Sequence, residues 1–102
     1  MGQLTLKIAT PKGTRDPVMC DSIRLTICDD LSGRGGGSYG IRPGHAKALF
    51  SLDKGSIRAF LSGRNVLTGE SGVGFVTVDQ NTVTVVTEDF SETNMTPGSP
   101  GT

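Results

Sequence analysis

Few residues of this chain have side chains that could take part in chemistry. His45 is the only histidine and therefore the first candidate for a general base. Cys20 and Cys28 form no Cys-x-x-Cys motif, and with a single histidine they cannot supply the four ligands of a usual zinc site. Asp29 and Asp30 are adjacent, and neighbours on a strand point to opposite faces, so they do not make a carboxylate pair. These residues predict a non-catalytic chain with no metal and no cofactor.

The glycine-rich stretch from Ser32 to His45 suggests a different chemistry, the binding of phosphate. Gly35, Gly37 and Gly40 satisfy G-x-G-x-x-G after a predicted strand. A dinucleotide site needs a helix that begins in this loop, and Pro43 disfavours one because it lacks an amide proton and restricts the residue before it. The Walker pattern fails, because no Gly-Lys-Ser or Gly-Lys-Thr follows. A stand-alone β-sandwich module that binds a small anion or nucleotide through this loop is the alternative function.

Composition limits the class of protein. The chain has 102 residues, enough for one domain with one core. Ten basic residues balance ten acidic ones, so the basic excess typical of nucleic-acid binders is absent. The sequence has no run of about 18 apolar residues and no signal-peptide pattern at its start. We expect a cytosolic domain with free thiols that binds no nucleic acid and does not insert into a membrane.

Alternation of apolar and polar residues is the dominant pattern, and it predicts half-buried β-strands. The pattern is clear at residues 4–9 and 23–28, and it continues at 57–61 with a break in phase at Phe60. Further along, Val73, Phe75 and Thr77 continue the apolar phase. The β-branched run TVTVVT at 82–87 is typical of a strand.

The segments between these runs have the composition of turns. They lie at 10–17, 62–65 and 79–81. Short strands joined by such turns predict an antiparallel sandwich or barrel. Segment 45–55 fits either a helix of about nine residues that ends at Gly55 or two short strands.

Four motifs occur in order along the chain: LTLKIATPKG (4–13), DSIRLTICDD (21–30), GIRPGHA (40–46) and GVGFVTVDQNTVTVVTEDF (72–90). Together they resemble the N-terminal β-sandwich domain of the epsilon subunit of F-type ATP synthases. The third motif is similar to the family's Gly-Ile-Leu-Pro-Gly-His signature, with Arg42 where leucine is usual. The form GSYGIRPGHA (37–46) further resembles an alternate, sometimes sodium-pumping branch.

The resemblance implies an all-β fold, an antiparallel sandwich of about ten short strands. The sandwich would cover residues 1–90, and residues 91–102 would form a disordered tail with too little apolar content to pack. Within the sandwich, residues 46–61 would form two strands around an Asp-Lys-Gly turn at 53–55. The implied role is that of a non-catalytic rotor subunit of a proton- or sodium-translocating F-type ATP synthase, held at the cytoplasmic face of the inner membrane.

The resemblance also implies two partners. One sheet would pack against the gamma shaft, and a loop would face the ring of c subunits. Ile41 would offer this ring an apolar contact and His45 a polar one. The binding residues implied for the loop are Gly40, Ile41, Pro43, Gly44 and His45.

Three departures from the family pattern limit which of the family's properties can be expected of this chain. SGRGGG (32–37) has the character of an insertion. Ser38 stands where an acidic residue is common, which removes that residue's charge from any pairing with the c ring. The family's two C-terminal helices, which inhibit the motor and in some members bind ATP, have no counterpart in this sequence.

Overall fold

The computed structural model describes residues 2–27 and 37–93. They form eleven β-strands and no helix, so segment 45–55 consists of strands, as the family resemblance implied. The strands are β1 (Leu4–Thr10), β2 (Gly13–Thr14), β3 (Val18–Cys20), β4 (Ser22–Ile27), β5 (Gly37–Ile41), β6 (Ala48–Leu52), β7 (Gly55–Leu61), β8 (Arg64–Ser71), β9 (Gly74–Asp79), β10 (Thr82–Thr87) and β11 (Phe90–Glu92).

The strands are arranged as two layers. The first layer has the order β5-β4-β7-β8-β11, and the second has the order β6-β9-β10-β1, with β2 and β3 both paired to β1. One residue pair, Ile27 with Leu52, joins β4 to β6 and makes the hydrogen bonding continuous between the layers. The predicted all-β sandwich is confirmed. It differs from the prediction at one place, because β1 and β10 run parallel.

The core lies between the layers and follows the alternation of the sequence. In β1, Leu4, Leu6 and Ile8 are buried, and they lie beside the buried Val83 and Val85 of β10. Each such side chain contributes about 1.5–3 kcal/mol by leaving water. The other buried apolar residues are Cys20, Ile23, Leu25, Ile41, Leu52, Ile57, Ala59, Leu67, Val76 and Val78.

Two of the predicted turns are two-residue hairpins. Ser62 and Gly63 connect β7 to β8, with φ angles of 53° and 79°. Gln80 and Asn81 connect β9 to β10, with φ angles of 50° and 64°. Two successive positive φ angles match the twist of the strands that such a turn joins. The break in phase at Phe60 has a local cause, because the β7–β8 register shifts there in a β-bulge.

The orientation of β9 is opposite to the prediction. Val76 and Val78 are buried, whereas Val73 and Phe75 are 49% and 45% exposed. Both phases of this segment contain apolar residues, so periodicity alone could not choose between them. Pairing with β10 decides the orientation, because it places Val76 opposite the buried Val85.

The end of the sandwich extends past the predicted boundary at residue 90. Ser91 and Glu92 belong to β11, which pairs with β8, and the Thr93 amide donates to the Thr68 carbonyl at 2.8 Å. The rest of the predicted tail (94–102), most of the predicted insertion (32–36), Cys28 and the two adjacent aspartates at 29–30 lie outside the described residues.

Candidate functional site

The Gly-Ile-Arg-Pro-Gly-His segment forms the end of β5 and a tight turn. The His45 amide donates to the Arg42 carbonyl at 3.2 Å and closes the turn. Pro43 and Gly44 are its two central residues, and Gly44 has a φ of 85°. A type II turn requires this order, since proline presets the first central residue and glycine tolerates positive φ at the second. The turn is therefore encoded locally.

Distant parts of the chain hold this turn in place. The Asn81 side-chain oxygen accepts a hydrogen bond from the Gly44 amide at 2.8 Å. The Asn81 carbonyl in turn accepts from the Thr5 amide at 2.8 Å. Gly2 lies so close that a Cβ atom added to it would be 3.0 Å from Cβ of Pro43. The turn is thus braced by the β9–β10 hairpin and by the N-terminal segment.

The His45 ring is held by its own chain. Nδ1 lies 2.7 Å from the Ala46 carbonyl oxygen, which can only accept, so Nδ1 carries a proton. Nε2 lies 2.8 Å from the Tyr39 hydroxyl, and in the neutral ring it accepts the hydroxyl proton. The rings of Tyr39, His45 and Phe50 also pack together, with centroids 4.7 to 6.0 Å apart. These contacts position the ring and leave neither nitrogen free to act as a base.

The residues of the segment differ in what they present to solvent. Gly40, Arg42 and Gly44 are exposed, and Pro43 and His45 are half-buried. Ile41 is fully buried opposite Ile23 of β4, so its expected role as an apolar contact for a partner is wrong. Its side chain belongs to the core because it alternates inward along β5.

Gly40 has no structural need to be glycine. A Cβ atom added to it would meet nothing within 4 Å, and its φ is not in the left-handed region. Gly44 differs, because its positive φ is strained for other residues. The absence of a side chain at Gly40 therefore leaves open space in front of the exposed backbone.

Part of the outer face of the second layer is apolar. Leu49 of β6 is 69% exposed, and Phe75 of β9 is 45% exposed. Phe75 lies opposite Val86 of β10, which lies beside Ala9 of β1. A groove in this region is lined by residues that include Pro11, Phe75 and Val86. We call this surface the apolar face, defined by Ala9, Leu49, Val73, Phe75 and Val86.

The chain is similar in sequence to two curated proteins. ATP synthase epsilon chains from Desulfitobacterium hafniense strains DSM 10664 / DCB-2 and Y51 are each 33% identical to this chain over 87 residues. The match covers 85% of this chain and 60% of each relative. This chain is a relative of the ATP synthase epsilon chain. It spans about 60% of the length of these curated relatives, and no family model matches it.

Solved structures of ATP synthases contain the same fold. A chain of the Euglena gracilis mitochondrial ATP synthase OSCP/F1/c-ring structure superposes with a TM-score of 0.74 and 16% identity, over 90% of this chain and 54% of that chain. The Tetrahymena thermophila mitochondrial ATP synthase central stalk/c-ring structure gives a TM-score of 0.64 and 16% identity, over 87% and 66%. The described residues therefore share the all-β sandwich fold of these chains.

The turn at residues 40–45 was predictable from the sequence, but the side chains that hold it in place were not. Tyr39 and Asn81 fix the turn, and no local pattern marks them as its partners. The apolar face was also missed, although the run GVGFVTV contains apolar residues in both phases and could have indicated a strand with two apolar sides.

The part of the chain that the structure describes contains no helix long and apolar enough to cross a membrane. The same residues form no group of three or more histidine, cysteine, aspartate or glutamate side chains that could hold a metal ion.

Cys20 of β3 is buried beside Leu4 of β1. Its side chain has no exposed surface, and Sγ lies 3.8 Å from the Leu4 carbonyl oxygen. Burial raises the pKa of its thiol from 9.0 to about 11, and the charge of Asp21 acts in the same direction. The Ser22 amide opposes both effects on the pKa. The thiol is therefore protonated and unreactive in the folded protein at neutral pH.

We expect a Cys28→Ser variant, in which Cys20 is the only thiol, to react with a disulfide reagent only after unfolding. The folded variant should stay unmodified at about pH 8, and full reaction should follow in denaturant. The thiol's contribution to the free energy of unfolding is present below pH 9.0 and lost between there and about pH 11, because the unfolded chain ionises first. Rapid modification of the folded variant would contradict the burial of Cys20.

Proposed function

We propose that this chain is a non-catalytic rotor domain of an F-type ATP synthase that translocates protons or sodium ions, and that it links the gamma shaft to the ring of c subunits. The relation to ATP synthase epsilon chains carries the proposal. In this proposal the chain is an accessory part of the complex, peripheral at the cytoplasmic face of the inner membrane and held there through its partners.

Gamma binds the apolar face in this proposal. Monomeric proteins rarely leave contiguous apolar patches of this kind uncovered, and exposed patches mark contacts with other proteins. Leu49 and Phe75 supply large side chains there. The other layer is less suited to gamma, because Arg24, Arg58 and Glu70 are exposed on its outer face and its strands contain none of the exposed large apolar side chains of the described residues.

The c ring binds the turn at residues 40–45. Polar partners and a type II turn hold the backbone in one shape, so the loss of conformational freedom on binding is small. The open space at Gly40 lets a partner's backbone approach closely.

The two contacts lie at different ends of the domain, which suits a linking role. Asn81, at the β9–β10 hairpin, bonds to the turn, and Val73 precedes β9 at its other end. β9 spans six residues, or roughly 20 Å. Two partners can therefore be bound at once, and the packed core between them transmits torque because it resists deformation.

The test is to replace Gly40 with alanine and measure binding to purified c ring and to gamma separately. The variant should fold with wild-type stability, since its new Cβ meets nothing. Binding to the c ring should weaken by about ten-fold or more, and binding to gamma should be unchanged. Gly37→Ala is the matched control, because it lies in the same strand and is equally unhindered. Equal c-ring binding by the two variants would overturn the placement of the ring at this turn.

A further inference from the structure

Two arginines lie directly opposite each other on the outer face of the first layer. Arg24 of β4 and Arg58 of β7 are register partners, and both are exposed. Residues opposite each other on antiparallel strands have Cβ atoms about 4.5–5.5 Å apart, and like charges at that separation repel. Within residues 2–27 and 37–93 the only ion pair joins Arg15 to Glu92, so neither of the two arginines has a carboxylate partner there.

Hydroxyl groups surround this arginine pair. Thr26, Ser38 and Ser56 line a concavity together with the two arginines, and its volume is about 210 Å³. Nη1 of Arg24 donates to the Ser38 hydroxyl oxygen at 3.1 Å. Among the residues that the structure describes, none with a carboxylate lines the concavity. The nearest acidic residue in register, Glu70, lies opposite Ser56, two pairs along from Arg58.

We propose that Arg24 and Arg58, with the hydroxyls of Thr26, Ser38 and Ser56, form a binding site for phosphate or the phosphate group of an ester. A guanidinium donates two parallel hydrogen bonds to one oxyanion, and two guanidiniums share its negative charge. The hydroxyls donate to the remaining oxygens. A bound dianion also removes the repulsion between the arginines.

The size of the site selects the chemical class of its ligand. A volume of about 210 Å³ is smaller than the roughly 300–1,000 Å³ of pockets that enclose whole organic ligands. The site therefore holds the phosphate group and leaves any attached group in solvent. It adjoins the c-ring turn, since Arg24 is the register partner of Gly40, and it is separate from the apolar face. The phosphate site does not depend on the proposed rotor function.

The test is an NMR titration of the full chain with inorganic phosphate, with sodium chloride added to keep the ionic strength constant. We expect saturable shifts centred on Arg24, Ser38, Ser56 and Arg58. R24Q and R58Q should each raise the dissociation constant for phosphate by about ten-fold or more, because each removes a guanidinium that donates two hydrogen bonds to the anion. R64Q is the matched control, since Arg64 is exposed in the same layer but outside the concavity, and it should bind as the wild type does.

A second measurement separates binding from a structural role. Without phosphate, R58Q should melt at the wild-type temperature or above, because it removes repulsion. With phosphate, only the wild type and R64Q should gain stability. Shifts that do not saturate, equal binding by R58Q and R64Q, or a lower melting temperature of R58Q without phosphate would each overturn the proposal.

Discussion

Replacement of Phe75 by glutamate is expected to abolish binding to gamma and leave the sandwich folded. Phe75 is 45% exposed at the centre of the apolar face, so its removal opens no cavity in the core. Contact with gamma would bury the new carboxylate, which costs several kcal/mol when it has no partner. We therefore expect affinity for gamma to fall by about 100-fold or more, as for a central residue of an interface.

The matched control for this prediction is Met19→Glu. Met19 is 47% exposed, like Phe75, and lies on the same outer face, but it is in β3 beside Thr5, at the other end of β1 from Ala9. Its variant should bind gamma with an affinity close to that of the wild type. Both variants are compared by titration calorimetry after circular dichroism has established that they are folded. Wild-type affinity in a folded Phe75→Glu variant would remove gamma from the apolar face.

Replacement of Gly74 by alanine is expected to destabilise the domain by about 3 kcal/mol. Gly74 pairs with Thr87 at the end of the β9–β10 ladder. A Cβ atom added to Gly74 would overlap the Val86 carbonyl oxygen and lie 2.8 Å from Cα of Thr87. These are main-chain atoms that cannot rotate away, so the two strands must separate or shift.

Urea unfolding, followed by intrinsic fluorescence or circular dichroism, measures the loss of stability in the Gly74→Ala variant. Gly37→Ala is again the control, because nothing lies within 4 Å of its added Cβ. Its free energy of unfolding should stay within about 0.5 kcal/mol of the wild type. If the Gly74→Ala variant were equally stable, the close approach of β9 and β10 at this pair would be wrong. Gly74 and Phe75 thus have different roles: the glycine allows β9 and β10 to pack closely, and the phenylalanine lies on the outer face.

Five of the eleven strands, β1, β4, β7, β9 and β10, and both two-residue hairpins were predictable from local sequence patterns. A half-buried strand is indicated by apolar residues at every second position, as at Leu4, Leu6 and Ile8. A tight turn is marked by residues that tolerate positive φ, as at Asn81 and Gly63. Both signals depend on neighbouring residues only. The family resemblance added what local patterns left open, namely that segment 45–55 forms strands.

The predictions that were wrong concern contacts between distant residues. Phe75 faces outward because the register between β9 and β10 places Val76, and not Phe75, in the core. Ile41 is buried because β5 pairs with β4 and places it opposite the buried Ile23. The parallel pairing of β1 with β10 joins strands more than 70 residues apart, roughly the whole domain, and no hairpin signal reports it.

The sequence by itself determined the class of fold, five of the strand segments, and a Pro-Gly turn whose shape follows from the two residues at its centre. The tertiary structure decided which face of each strand is buried, that Tyr39 and Asn81 hold His45 and Gly44, and that Arg24 meets Arg58. The division has a physical reason. Backbone preferences act between neighbours in the chain, whereas burial and hydrogen bonding in a sheet depend on which distant strand arrives alongside.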